Sequence, residues 1–145
     1  MHTTAPTRLG LIGFALISVA SALIALAGCS GTVSDRSIEP IAQPDAVERL
    51  RNKPDATLFL DVRNDDEFDA GRIPGARLTR LSEVALTDDR PRFGAWDLVV
   101  VYGRDPGSAR APALVKRLLQ TDHKNVALLE GGYEAWTRLG YPTEK

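Results

Sequence analysis

Three short apolar segments most constrain the fold of this 145-residue chain. They are TLFLDV (57–62), DLVVVY (97–102) and NVALL (125–129). None of them alternates apolar with polar residues, which indicates strands buried on both faces. Strands of this kind are typical of parallel sheets, whose connections must cross over the sheet and are usually helical.

Helical patterns surround these strands. They cover 44–51, 64–71, 108–120 and 131–140. Asn64 followed by Glu67 has the spacing of a capping box, which marks the start of a helix. Gly140 precedes Pro142 and is suited to end the last helix. Strands alternating with helices predict an α/β domain with an open, mostly parallel central sheet flanked by helices on both faces.

The amino terminus carries a targeting segment. Residues 9–28 are uncharged and rich in Leu, Ile, Ala and Gly, and the motif LAGC closes them with Cys29. Small residues before a cleavage point suit a signal peptidase, and a cysteine directly after them resembles the lipobox of bacterial lipoproteins. The resemblance implies a signal peptide over 1–28, a lipid on Cys29, a linker over 29–36 and a domain over 37–145. The domain is then expected in the bacterial cell envelope, on the periplasmic side of either membrane or at the cell surface.

An uncleaved membrane anchor is the alternative interpretation of the same segment. About 20 consecutive apolar residues suffice to span a bilayer as a helix. Either interpretation attaches the domain to a membrane outside the cytoplasm, and the lipid on Cys29 is the attachment we expect.

Composition argues against several kinds of site. A formal charge of −1 without a basic cluster disfavours nucleic acid as a partner. The single cysteine, Cys29, permits no intrachain disulfide and no Cys-based metal site. His2 lies in the signal peptide, so the mature chain has only His123, which is too few ligands for tetrahedral zinc. We therefore expect neither a metal nor a cofactor.

The loop after the second central strand is the main candidate site, because open parallel sheets bind ligands at the carboxyl ends of their strands. It consists of Gly103, Arg104, Asp105, Pro106, Gly107, Ser108, Ala109 and Arg110. Backbone N–H groups at a strand-to-helix turn can hold an anion, and the two arginines can assist. The proline removes one donor and the aspartate adds a negative charge, so both weaken this binding.

No nucleophile with a base is evident in the loop. Ser108 and His123 lie at opposite ends of one predicted helix, about 20 Å apart, whereas general-base catalysis needs about 3 Å. Hydrolysis through Asp105 or Ser108 is the weakest function considered, since neither has a nearby base. The acidic residues within 65–69 are interpreted as a first helical turn, where they offset the helix dipole.

Three blocks of the sequence resemble the rhodanese family. They are LFLDVRNDDEFDAGRIPGARL (58–78), VVVYGRDPGSARAPALVKRLL (99–119) and NVALLEGGYEAWTRLGYPTE (125–144). Their order and spacing are specific to that family, and the likeness covers residues 37–144. The resemblance implies a rhodanese-like fold with its site at the loop 103–110.

Active members of that family have a cysteine at the first loop position, which carries sulfur to an acceptor as a persulfide. Gly103 stands at that position here, and Arg110 best matches the loop arginine that stabilises the charged sulfur. Arg72 replaces the histidine of a common Gly-His-Ile-Pro-Gly motif. Asp61 and Arg63 are interpreted, together with Arg72, as residues that support the loops. Sulfur transfer and the related phosphatase chemistry both require a loop thiolate, which this sequence does not supply.

Two functions follow from the resemblance. The first is a membrane-tethered rhodanese-like domain without sulfurtransferase activity that binds an envelope protein or a small anion. The alternative is a sulfurtransferase-related subunit that binds thiosulfate or a persulfide, with the reactive cysteine supplied by a partner.

Overall fold

Five parallel strands form the centre of the molecule. They are β1 (Glu39–Ile41), β2 (Thr57–Asp61), β3 (Arg77–Leu78), β4 (Leu98–Tyr102) and β5 (Val126–Leu129). In the computed structural model, which describes residues 33–84, 93–121 and 123–145, they form one sheet in the order β1-β5-β4-β2-β3. Each pair of neighbouring strands is parallel, which confirms the predicted sheet.

Helices cover both faces of this sheet. They are α1 (Gln43–Asn52), α2 (Asp65–Ala70), α3 (Arg110–Gln120) and α4 (Gly132–Arg138). On one face α3 packs Leu114 and Leu118 against Leu60 and its neighbours. On the other face α1 and α4 pack against Phe59, and the fully buried Trp136 contributes the largest side chain. Successive residues of β2 thus enter two different apolar cores, which explains why its sequence shows no alternation.

The sequence patterns locate the central elements closely. Each of the three predicted strands differs from the structure by one residue at one end. The capping box of α2 is present, with Asn64 and Glu67 in the expected roles. The helix predicted over 108–120 begins instead at Arg110, because the Ser108 N–H donates to the Asp105 carbonyl in a turn. The short edge strands β1 and β3 are not predicted by any sequence pattern.

The first described residues contact the domain. Asp35–Ser37 forms a 3-10 turn before β1, and Asp35 pairs with Lys116 of α3. Ile38 packs against the core beneath the same helix. Contacts of the domain therefore begin within the segment that the sequence predicts as a linker.

The predicted signal peptide and Cys29 lie outside the described residues. Across residues 33–84, 93–121 and 123–145, no helix combines the length and apolar character needed to cross a membrane.

Candidate functional site

Two adjoining clefts open at the carboxyl ends of β2 and β4. The first, of about 470 Å³, is called the loop cleft, and it is lined by Val62, Arg63, Asn64, Glu67, Arg104, Asp105, Gly107, Ser108, Ala109 and Arg110. The second, of about 530 Å³, is called the outer cleft, and it is lined by Val62, Arg63, Asn64, Asp65, Thr79, Arg80, Leu81, Ser82, Ala109, Arg110 and Ala113. Both share Arg63 and Arg110, so the two clefts are halves of one depression around the predicted loop.

A buried ion pair forms the floor of this depression. Arg63 donates from Nη2 to Asp61 Oδ2 at 2.6 Å and from Nε to both carboxylate oxygens at 3.0 Å. A further bond from Nη2 reaches the Gly71 carbonyl at 2.7 Å. Asp61 is fully buried and Arg63 is 8% exposed. The bond to the Gly71 carbonyl ties the pair, and with it the end of β2, to the segment after α2.

An aromatic ring covers the other side of the Arg63 guanidinium. The Tyr133 ring of α4 lies 3.8 Å from the guanidinium carbon, a stacked cation–π contact. Burial disfavours the cation, but the hydrogen bonds and charge of Asp61 outweigh burial and raise the pKa of Arg63. Arg63 is therefore a fixed positive charge, and its Nη1 nitrogen takes part in none of these hydrogen bonds.

Tyr102, the last residue of β4, also lies in this floor, where its phenol group accepts a hydrogen bond and keeps its proton. Its hydroxyl oxygen accepts a hydrogen bond from the Ile73 backbone N–H at 3.3 Å. Burial raises the pKa of the Tyr102 phenol, and the nearby charge of Asp61 raises it further. The phenol is therefore neutral at physiological pH and serves a structural role.

The loop from Gly103 to Arg110 is closed on itself by Asp105. The carboxylate Oδ1 of Asp105 accepts from the Gly107 N–H at 2.6 Å, and its carbonyl accepts from the Ser108 N–H at 3.1 Å. Pro106 between them has no N–H to offer. The backbone donors expected to hold an anion are therefore partly used within the loop itself.

The same loop is docked onto the start of α4. The backbone N–H groups of Tyr133 and Glu134 donate to the carbonyls of Gly103 and Arg104, both at 2.9 Å. These two bonds satisfy donors in the first turn of α4 that have no partner within the helix. The first two loop residues are thus fixed by backbone contacts.

The side chain of Ser108 fills the space next to Gly103. A Cβ atom built on Gly103 would lie 2.5 Å from Ser108 Oγ and 2.7 Å from Ser108 Cβ. Both distances are far below van der Waals contact, so this loop leaves no room for a side chain at its first position. The Ser108 side chain therefore occupies the space that a side chain at position 103 would need.

Ion pairs neutralise several charges around the depression. Arg104 Nε lies 2.7 Å from Glu67 Oε1, and Arg80 pairs with Asp65. The hydrogen bond from Arg104 lowers the pKa of Glu67, so the pair is charged at neutral pH. Among the described residues, Arg110 makes no ion pair or hydrogen bond through its guanidinium. Arg110 is therefore the exposed cation of this depression that is free to bind an anion.

Arg72 corrects one expectation from the sequence. It lines neither cleft, because its Nε donates to Glu144 Oε1 at 3.1 Å and its guanidinium covers the Phe68 ring. The backbone N–H of Arg72 also donates to the Glu144 carbonyl. Its side chain fastens the carboxyl-terminal segment rather than the loop.

Ser108 and His123 lie at opposite ends of α3, since one precedes its first turn and the other follows its last. Within the described chain, no group of three or more His, Cys, Asp or Glu side chains could hold a metal ion.

Three residues of the site are not identified by sequence reasoning. Glu67 is assigned only to helix capping, although its carboxylate also binds Arg104. Tyr133 falls within the helix predicted over 131–140 with no assigned role, although it is half-buried and stacks on Arg63. Arg80 carries no local signal, because its position beside the outer cleft depends on the chain path after β3.

Comparison with known proteins places the chain in a family. Residues 43–139 match the rhodanese-like domain. The thiosulfate sulfurtransferase GlpE of two Pseudomonas putida strains is 32% identical over 101 residues, which are 70% of this chain and 86% of the relative. The chain belongs to the rhodanese-like domain family.

Solved structures share the fold. A Rhodopseudomonas palustris protein described as a possible tyrosine phosphatase is 26% identical, with a TM-score of 0.66 over 76% of this chain and 87% of that one. The rhodanese-like domain of an Anabaena protein is 27% identical, with a TM-score of 0.58 over 72% and 77% of the two chains. Both likenesses agree with an α/β rhodanese-like architecture.

Proposed function

We propose that this chain is an envelope lipoprotein whose rhodanese-like domain binds an anionic group and does not itself transfer sulfur. The observation that carries the proposal is the contact between Gly103 and Ser108. Cys29 is the only cysteine of the sequence, and it lies 74 residues before the loop position. Without a thiolate in the loop, a persulfide cannot form there.

Charge in the depression supports the binding role. Arg110 is exposed and unpaired within the described chain, and Arg63 beneath it is a permanent cation with one nitrogen outside its ion pair. Two arginines that converge on one cleft suit a tetrahedral or planar anion, because guanidinium groups donate in a fixed fork. The ligand is a small oxyanion or thioanion, or the carboxylate or phosphate of a partner protein.

The envelope location comes from the sequence motif at Cys29. Mass spectrometry of the purified protein should find acyl mass on the peptide that begins with this cysteine. Cys29→Ser should lose that mass and leave the membrane fraction. A Cys29→Ser variant that stays in the membrane fraction contradicts lipidation and favours an uncleaved helix.

Calorimetry with the full-length protein tests the binding role. Thiosulfate, sulfate and phosphate are titrated separately, and Arg110→Met should weaken the best of them about tenfold, the loss expected for one charged hydrogen bond. Arg138→Met is the matched control, since Arg138 is an exposed arginine that lines neither cleft. No heat with any anion at millimolar concentration contradicts the proposal.

The similarity to a thiosulfate sulfurtransferase supports a second candidate, in which a partner brings the cysteine. This candidate requires preference for thiosulfate over sulfate and phosphate in the same titrations. It also requires that the protein alone show no thiosulfate:cyanide sulfurtransferase activity. Turnover by the purified protein alone contradicts both candidates.

A further inference from the structure

The direction of the strands fixes where the chain enters the domain. All five strands are parallel, so their amino-terminal ends lie together at one end of the sheet, here called the amino edge. This name refers to the ends of the strands and not to the outer strands β1 and β3. Lys53, Trp96 and Lys124 precede β2, β4 and β5 and mark this edge. The chain reaches β1 through the turn Asp35–Ser37, which is held against the second half of α3 by Lys116. The segment upstream of Asp35 therefore leaves from the amino edge, opposite to the loop cleft.

The remaining tether is short compared with the domain. Five residues, 30–34, separate Cys29 from Asp35, and fully extended they bridge about 20 Å at roughly 3.5 Å per residue. A domain of this size has a radius of gyration of about 13 Å, and thus a diameter of about 35 Å. A tether of this length cannot pass around the domain and bring the opposite edge to the bilayer.

The charged residues of the helix ends are distributed unequally between the two edges, although the cleft edge also carries the arginines that line the clefts. The last helical turns, at the amino edge, carry Arg49, Arg51, Arg117 and Arg138. The first turns, at the cleft edge, carry Asp45, Asp65, Asp66, Glu67 and Glu134. This placement stabilises the helix dipoles, and it also orients the domain in the field of an anionic surface.

Residues that precede the strands add further positive charge to the amino edge. Lys53 and Lys124 are exposed there, together with four exposed acids, Asp35, Glu39, Asp55 and Asp97. With the four arginines of the last turns, basic residues outnumber acidic ones at the described amino edge. Anionic phospholipid headgroups attract such a face.

Trp96 gives the amino edge an interfacial side chain. It is half-buried, with the Arg77 guanidinium 5.5 Å from its ring centre. It shares a cleft of about 450 Å³ with Lys124 and Phe93. Tryptophan beside cations is favoured at the headgroup level of a bilayer, where its ring is apolar and its N–H can bind headgroups.

We infer that the amino edge rests on anionic phospholipid headgroups, with Trp96 at the membrane surface and the loop cleft facing away from the bilayer. The inference rests on the proposed lipid anchor at Cys29. It adds an orientation, because a lipid alone would allow any face of a domain on a long tether to meet the membrane. The cleft is thereby presented to soluble anions or to proteins rather than to lipid.

Fluorescence quenching in vesicles tests this orientation. The full-length protein is reconstituted into vesicles of phosphatidylcholine and phosphatidylglycerol that contain a headgroup-labelled quencher lipid. The sequence has two tryptophans, and Trp136 is fully buried, so Trp96 is the reporter. The wild-type protein should be quenched at least twofold more than Trp96→Phe, in which only Trp136 remains.

A matched variant places the reporter at the cleft edge. Leu81 is 40% exposed and lines the outer cleft, so the tryptophan of Leu81→Trp, introduced into Trp96→Phe, should remain unquenched. Lys53→Gln with Lys124→Gln should reduce quenching of Trp96. Quenching at position 81 that equals or exceeds quenching of Trp96 overturns the orientation while leaving the anchor intact. Failure of the wild-type protein to sediment with the vesicles overturns the anchor and the orientation together.

Discussion

The carboxylate of Asp61 and the guanidinium of Arg63 form a buried ion pair between residues only two positions apart. Three side-chain hydrogen bonds join them, and a fourth bond links Arg63 to the Gly71 carbonyl. The Tyr133 ring lies against the guanidinium, 3.8 Å from its carbon. The pair thus joins the end of β2, the segment after α2 and the start of α4, and Arg63 itself lines the loop cleft.

Removing one charge of this pair should destabilise the domain strongly. Asp61→Asn leaves the Arg63 cation buried without its counterion, and breaking a buried pair in this way typically costs about 3 kcal/mol. Urea unfolding monitored by circular dichroism measures the change. Arg80→Met removes an exposed ion pair beside the outer cleft and should leave the midpoint within experimental error. An equal effect of the two substitutions would show that burial does not decide the strength of these pairs.

The contact between Gly103 and Ser108 predicts a coupled pair of substitutions. Gly103→Ala places a methyl group against the Ser108 side chain and should lower the free energy of unfolding by about 2 kcal/mol, as overpacking does. Ser108→Gly removes both clashing atoms, so the double variant should recover most of this loss. The coupling energy from the four-member cycle is the measured quantity. If the free-energy changes of the two single variants simply add up in the double variant, Ser108 is not the group that opposes a side chain at position 103.

Gly132 should be intolerant of a side chain for two separable reasons. Its φ of +63° is left-handed, and an added Cβ would lie 2.8 Å from the carbonyl oxygens of both Gly103 and Arg104. Gly140 has a similar φ of +70° with nothing within 4 Å, so Gly140→Ala measures the backbone strain alone, about 1 kcal/mol. Gly132→Ala should cost clearly more and should weaken anion binding, since it pushes the loop off α4. Equal losses of stability in thermal unfolding would contradict the docking of the loop on α4.

The Glu67–Arg104 pair predicts a pH dependence. The hydrogen bond from Arg104 lowers the pKa of Glu67 from its ordinary value of 4.5. A group with a lowered folded-state pKa stabilises the fold in full above its unfolded-state pKa, and this contribution is lost as the pH falls through the folded-state value. Unfolding free energies measured between neutral and acidic pH should therefore fall less steeply below pH 4.5 in Glu67→Gln than in the wild type.

The choice of glutamine preserves the other role of Glu67, because glutamine also serves in a capping box. Arg104→Met should flatten the pH profile less than Glu67→Gln does, because the Asn64 backbone N–H and the charge of Arg63 also lower the pKa of Glu67, and the double variant should match Glu67→Gln. A wild-type slope in Arg104→Met would show that the pKa of Glu67 is lowered by the helix terminus rather than by the ion pair.

Local sequence patterns were sufficient for the central strands, the helices and the capping box, because burial and capping act within a few residues. The edge strands β1 and β3 have only three and two residues, and they exist through pairing with β5 and β2 rather than through their own pattern. Arg72 was assigned to the loop because of its place in a motif, but its partner Glu144 lies 72 residues away. Side-chain partners at such separations leave no mark on either local segment.

The absence of a cysteine from the loop 103–110 was visible in the sequence, whereas the closure of the loop was not. Closure depends on the turn made by Asp105 and on two N–H groups of α4 that reach the loop from 30 residues away. These contacts place the Ser108 side chain against Gly103, which lies five residues earlier in the chain. Chain spacing alone could equally have left an open pocket at Gly103.

Introducing a cysteine at position 103 should therefore fail to create a reactive site. In Gly103→Cys the new side chain meets Ser108, so the thiol must displace the loop, and thiosulfate:cyanide sulfurtransferase activity should stay at background. Gly103→Cys with Ser108→Gly gives the thiol room beside Arg110, and its thiolate should be alkylated by iodoacetamide faster than in the single variant, because a nearby cation favours the thiolate. Peptide mass spectrometry separates this alkylation from any at Cys29. Sulfur transfer by the single variant at a rate well above background would show that Ser108 moves aside readily, and that the loop lacks only a thiol for this reaction.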